Sequence, residues 1–113
     1  MEKRTKAETF IGFAMRSGKF RIGANAATTL KRAYLVIVCK SASDNTKKDA
    51  LKLAKNFKSK LLETTTFTLE ELTHRDNAKV MAIADRALAK AIADNSESDF
   101  IERTGDYIKY GRK

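Results

Sequence analysis

Apolar residues over the first 94 positions fall into two alternating periods, one helical and one extended. Phe10, Ile11, Phe13 and Ala14 recur at helical spacing behind Thr5-Lys6-Ala7-Glu8. In such a capping box the threonine hydroxyl and the glutamate carboxylate each accept from a backbone N–H of the first turn, so a helix is expected to start there. Gly18, free to take up a left-handed backbone, supplies its stop. Lys19 to Ile22 predicts a short strand, and Gly23-Ala24-Asn25 opens a second, short helix ending near Arg32. Tyr34-Leu35-Val36-Ile37-Val38-Cys39 is apolar without alternation, the pattern of a central strand covered on both faces.

Ser43, Asp44 and Asn45 are candidate caps for a third helix that reaches about Lys58. At about 100° per residue, Ala50, Leu53, Ala54, Phe57 and Leu61 share one arc and face inward. Lys47, Lys48, Lys52, Lys55 and Lys58 share another, with Asp49 the only acid among them. Leu61-Leu62 and Thr64-Thr65-Thr66 predict a further strand. Thr68-Leu69-Glu70-Glu71 is a second capping box, for a helix of one or two turns through Leu72. Val80 to Ala84 reads as the last strand, and Asp85 caps an alanine-rich helix with Leu88, Ala91 and Ile92 on its inner face. Strands and helices alternating in this way build an α/β fold, here a partly parallel sheet of four strands between about five helices. Residues 1–94 read as one domain. Residues 95–113 form a mixed-charge tail with Phe100, Ile101, Tyr107, Ile108 and Tyr110, suited to dock, to form a short helix, or to stay mobile until a partner orders it.

A chain of 113 residues is long enough to build a core without disulfides or metals. Its net charge of +9 is unevenly placed. Residues 1–60 hold 15 Lys and Arg against 4 Asp and Glu, whereas residues 61–95 hold 4 against 6. The asymmetry predicts one basic face aimed at a polyanion, a plain solubility surface being the alternative. No apolar run approaches the length of a membrane span. The short stretch Phe10 to Met15 also lacks the small-residue cleavage site of a signal peptide. With Cys39 as the single cysteine, a cytoplasmic setting is expected.

Catalytic parts are scarce. His74, the one histidine, sits in an expected loop beside Arg75 and Asp76, and Cys39 ends an apolar strand, where a thiol behaves as a small hydrophobe. Gly18-Lys19 lacks the upstream glycine of a phosphate-binding loop, and one Cys and one His far apart give no metal-ligand spacing. The expectation is no catalysis, no cofactor and no metal.

Ser17 to Asn25 is the most informative stretch. Gly23 permits a tight turn and close approach of another chain. The helix start behind it presents free N–H groups and the positive end of its dipole to a phosphate or base edge. Asn25 offers both a donor and an acceptor, as base-edge readout requires, unless it merely caps the helix. Lys19, Arg21, Lys31 and Arg32 are expected to surround it with charge.

Gly18-Lys19, a short strand, and then Gly23-Ala24-Asn25 opening a helix resembles the ribosomal-protein-like superfamily that binds kink-turn RNA, in its small bacterial YlxQ/YbxF-like branch. Phe10 to Lys19 resembles that family's first helix and turn, and Leu35 to Val38 its central strand. Ala42 to Lys48 resembles the loop that follows, and Glu71-Leu72 and Val80 to Asp85 its later helix and last strand, so that residues 7 to about 93 are covered. The resemblance implies a three-layer α/β/α sandwich that binds RNA without catalysis, associated with the ribosome or another ribonucleoprotein. It implies a surface that joins Gly23, Ala24 and Asn25 to the loop His74 to Lys79, where Arg75, Asn77 and Lys79 are the polar candidates. Phosphate contacts are expected from Lys19, Arg21, Lys31 and Arg32, and a wider footprint from Lys47, Lys48, Lys52 and Lys55. RNA in this setting is selected by shape and unstacked bases more than by a groove code.

Kink-turn binders of the family carry Glu directly after the Asn and Lys three positions later; this chain has Ala26 and Thr29 there, with Lys31 or Arg32 as substitutes for the lysine. The family's small, apolar later loop is here the polar His74-Arg75-Asp76-Asn77. These departures motivate a second expectation, a protein-interaction adaptor of the same fold that has lost specific RNA recognition. A third is the accessory RNA-binding domain of a modifying enzyme. A monomer without a membrane partner is expected throughout.

Overall fold

Every position of β2 (Leu35–Val38) is buried, and the remaining elements are arranged to cover it. The computed structural model describes residues 6–65, 67–94 and 100–102. Before β2 come α1 (Lys6–Ser17), β1 (Phe20–Ile22) and α2 (Ala24–Ala27). After it come α3 (Asp44–Phe57), β3 (Lys60–Thr64), α4 (Leu69–Thr73), β4 (Val80–Ile83), α5 (Arg86–Asp94) and β5 (Phe100–Glu102). The sheet runs β1-β4-β2-β3-β5, with β2 and β3 parallel and the other pairs antiparallel. Packing of α1 against α4 and α5 makes one helical layer, and α2 against α3 makes the other. The result is an α/β fold in three layers, with Ile11, Leu61, Met81, Ile83 and Ile92 fully buried between them. Each such side chain withdrawn from water contributes about 1.5–3 kcal/mol before entropy is counted.

Local chemistry starts the helices. Ser43 caps α3 by accepting the Thr46 N–H at 3.2 Å. Thr68 and Glu71 cap α4 reciprocally, and Asp85 Oδ1 accepts the Leu88 N–H of α5 at 3.0 Å. Gly18, at φ 76°, turns the chain out of α1. The capping box proposed at the head of α1 includes Thr5, which lies outside the described residues. Ala50, Leu53 and Ala54 face the core from α3, while Lys48, Lys52 and Lys55 are exposed.

Two elements depart from the expected pattern. The second helix does not reach Arg32: it ends at Ala27, because the Thr28 and Thr29 hydroxyls turn back onto the carbonyls of Asn25 and Ala26 at 2.6 and 2.7 Å. Side chains that satisfy the last carbonyls in this way compete with helix continuation, and two adjacent β-branched residues do so together. The other departure is a fifth strand. Phe100 to Glu102, assigned to the tail, pair antiparallel with β3 from Thr64 to Leu62, and Phe100 is buried. Tyr107, Ile108 and Tyr110 lie outside the described residues. No described helix is long and apolar enough to cross a membrane.

Candidate nucleic-acid interface

Strand directions bring three separate segments to one end of the sheet. There β1 finishes at Ile22, β2 finishes at Val38 and β4 begins at Val80, with Ile22 beside Met81 and Val38 beside Val80. Backbone hydrogen bonds stitch the exits together: the Gly23 N–H donates to the Val80 carbonyl and the Cys39 N–H to the Lys79 carbonyl, each at 2.8 Å. Gly23 holds φ 98° and ψ 139°, a conformation that only glycine adopts without strain, and it is the N-cap of α2. Asn25 is therefore not the cap. Its side chain is exposed in the first turn of α2.

The loop from His74 to Lys79 lies at the same end and is pinned from within. His74 and Asn77 both take left-handed backbone, at φ 58° and 60°. Glu70 anchors the loop twice, accepting the Asn77 N–H at 2.8 Å and the Lys79 ammonium at 3.1 Å. Those two bonds, that from Lys79 first, hold the Glu70 carboxyl below its ordinary pKa. Lys79 also donates to the Ser41 hydroxyl at 2.9 Å, which ties the loop to the exit of β2. Arg75 reaches back over the Phe20 ring, 5.4 Å from its centre, and so lies along the outer strand β1.

The structure thus brings together Gly23, Ala24, Asn25, Arg75, Asn77 and Lys79, with Arg21 two residues upstream on β1. Lys48 opens a line of exposed lysines that runs away from this end along α3 through Lys52 and Lys55. Lys47 differs from them: it pairs with the buried carboxylate of Glu63 at 3.1 Å and is committed to the fold. Lys19, Lys31 and Arg32 are not around Asn25. The Lys19 carbonyl accepts from Ala84, Tyr34 donates to the Ile83 carbonyl, and Lys31 and Arg32 share a recess with Asn56 to Ser59 at the far end of α3. A four-residue strand, roughly 13 Å, separates the two ends. Strand direction is the cause: β1 ends beside Met81 and β2 starts beside Ile83, so residues 23–34 must carry the chain across the sheet.

Sequence reasoning missed Glu70, whose spacing to Asn77 and Lys79 belongs to no local motif. It also read Cys39 only as a hydrophobe. The thiol is buried, lies 3.1 Å from the Ser41 hydroxyl and accepts the Leu69 N–H at 3.2 Å. Burial pushes its pKa up, but the Ser41 and Leu69 hydrogen bonds and the Lys79 charge outweigh this and hold it below the ordinary thiol value.

No family model and no curated protein matches the chain. Among solved structures it is similar to a protein of unknown function from Bacillus halodurans. The two are 18% identical, with a TM-score of 0.70 over 83% of this chain and 99% of that one. The likeness is one of fold. An α/β architecture is common to both.

Proposed function

We propose that the protein is a non-catalytic RNA-binding protein of the cytoplasm that recognises kinked or looped RNA, as part of the ribosome or another ribonucleoprotein. The observation that carries this reading is the Gly23 N–H bond to Val80, which seats an exposed amide at Asn25 beside the pinned loop of Arg75 and Asn77. Two amides and a strained glycine turn suit unstacked base edges, and Arg21 and Arg75, both drawn back along β1 to Phe20, offer phosphate contacts beside that strand. The likeness of Gly23-Ala24-Asn25 and its surroundings to the kink-turn binders supports the same reading.

Filter binding to ribosomal RNA at two salt concentrations tests it. Affinity is expected to fall as salt rises, and Asn25→Ala is expected to weaken binding about tenfold, the worth of a good base contact. Binding that ignores both salt and Asn25 would favour instead a protein-interaction adaptor.

A further inference from the structure

The end of the sheet away from Gly23 carries a different chemistry. Two recesses of about 320 and 410 Å³ adjoin there and share Tyr34, Lys58 and Ser59. Lys60, Arg86 and Lys90 border the first, and Lys31 and Arg32 the second. Among the described residues, Lys31, Arg32, Lys58, Lys60 and Arg86 have no ion-pair partner; only Lys90 does, bonded to Asp94 at 2.9 Å. Among the described residues Asp94 is the one acid that lines either recess, and like charges crowded in this way oppose folding, so their grouping is not explained by stability. Tyr34 stands among them with its residue 37% exposed, one of two large hydrophobic side chains so placed among the described residues. The Ser59 hydroxyl on the shared wall is out of solvent and has no hydrogen-bond partner among the described residues, which is uncommon for a buried polar atom. Lys58 itself holds left-handed backbone, at φ 56°, where a helix usually ends on glycine.

An exposed tyrosine, with cations that have no ion-pair partner among the described residues in the recess on each side of it, supplies the parts of a stacking platform with phosphate contacts. We infer that this end is a second nucleic-acid surface, which takes a single-stranded RNA segment with one base stacked on Tyr34. Lys58 and Lys60 hold the phosphate on one side of that base, and Lys31 and Arg32 the phosphate on the other. Stacking on Tyr34 requires an unpaired base, so a continuous duplex does not fit. The inference rests on the RNA-binding reading only for the class of ligand; its residues are separate from those around Asn25.

Fluorescence anisotropy with a labelled oligouridylate tests it on the full chain. Tyr34→Ala is expected to weaken binding about tenfold, while Tyr34→Phe, which keeps the ring, retains it. Lys58→Ala with Lys60→Ala is expected to lower the slope of log affinity against log salt by about 0.7, one single-strand phosphate's worth. Oligouridylate binding that is absent, or that survives Tyr34→Ala and the double lysine variant, overturns the inference. A kinked ribosomal RNA fragment run in parallel separates the two readings. If that fragment fails to bind while oligouridylate binding depends on Tyr34, the kinked-RNA reading falls and this one stands.

Discussion

Gly23 is where a single residue type most constrains the candidate surface. A Cβ built there meets nothing within 4 Å, so a side chain would not clash; the cost lies wholly in φ 98° with ψ 139°. Gly23→Ala is therefore expected to lose about 1–3 kcal/mol of stability from backbone strain alone, read as a lower urea midpoint with an unchanged slope. Two positions on, Asn25→Ala removes an exposed side chain and is expected to leave the midpoint within about 0.5 kcal/mol of the parent while binding falls. Glu70 makes a pH-dependent prediction. Its carboxyl titrates below its ordinary value in the fold, so the charged form is favoured there. The contribution is fully present above the ordinary glutamate pKa and is lost as pH falls through the lowered one. Since the carboxylate is half-buried and its bonds are confined to Asn77 and Lys79, the loss belongs to the loop and not to the whole molecule. Amide exchange at Asn77 is expected to quicken in acid relative to β2, and Glu70→Gln to abolish that difference. Equal exchange at both pH values in the parent would remove Glu70 as the loop's anchor.

The α3 C-terminus sets stability against binding in one side chain. Lys58 occupies left-handed backbone that glycine accepts freely, so Lys58→Gly is expected to stabilise the chain by about 0.5–1 kcal/mol. The same change removes a cation from the Tyr34 recesses and is expected to weaken oligouridylate binding. Thermal unfolding and anisotropy on one variant check both, and a loss of stability would show that Lys58 is held by contacts instead of strained. Elements of this kind were the most legible in the sequence. Ser43, Thr68 and Asp85 announce their helices because a cap acts within three residues, and Leu35 to Val38 announces a covered strand because four apolar residues in a row have no wet face. What depended on the turn of a hydroxyl or on distant contacts stayed hidden. The end of α2 rests on two threonine hydroxyls that any helix could have carried facing solvent, and β5 rests on an edge that only the folded β3 offers. Glu70 and Lys47 looked like surface charge until Asn77, Lys79 and Glu63 were brought to them.

Among the described residues, the positive charge of the first half of the chain does not gather around Asn25. The sequence placed Lys19, Lys31 and Arg32 with Asn25; strand direction sends them to the opposite end, where Lys58, Lys60 and Arg86 join Lys31 and Arg32. The two proposed RNA-facing ends, roughly 13 Å apart across the strand β2, are close enough for one RNA to touch both. An RNA with a kinked element and a single-stranded flank is then expected to bind more tightly than either part, because the second contact forms at the high effective concentration set by the short connection. Its salt slope should approach the sum of the slopes of the two parts, since each end releases its own counterions. Asn25→Ala and Tyr34→Ala should then each reduce the bipartite RNA to the affinity of the part that remains. If the flank adds neither affinity nor slope, the two ends do not act on one strand, and the lysines around Tyr34 need another explanation.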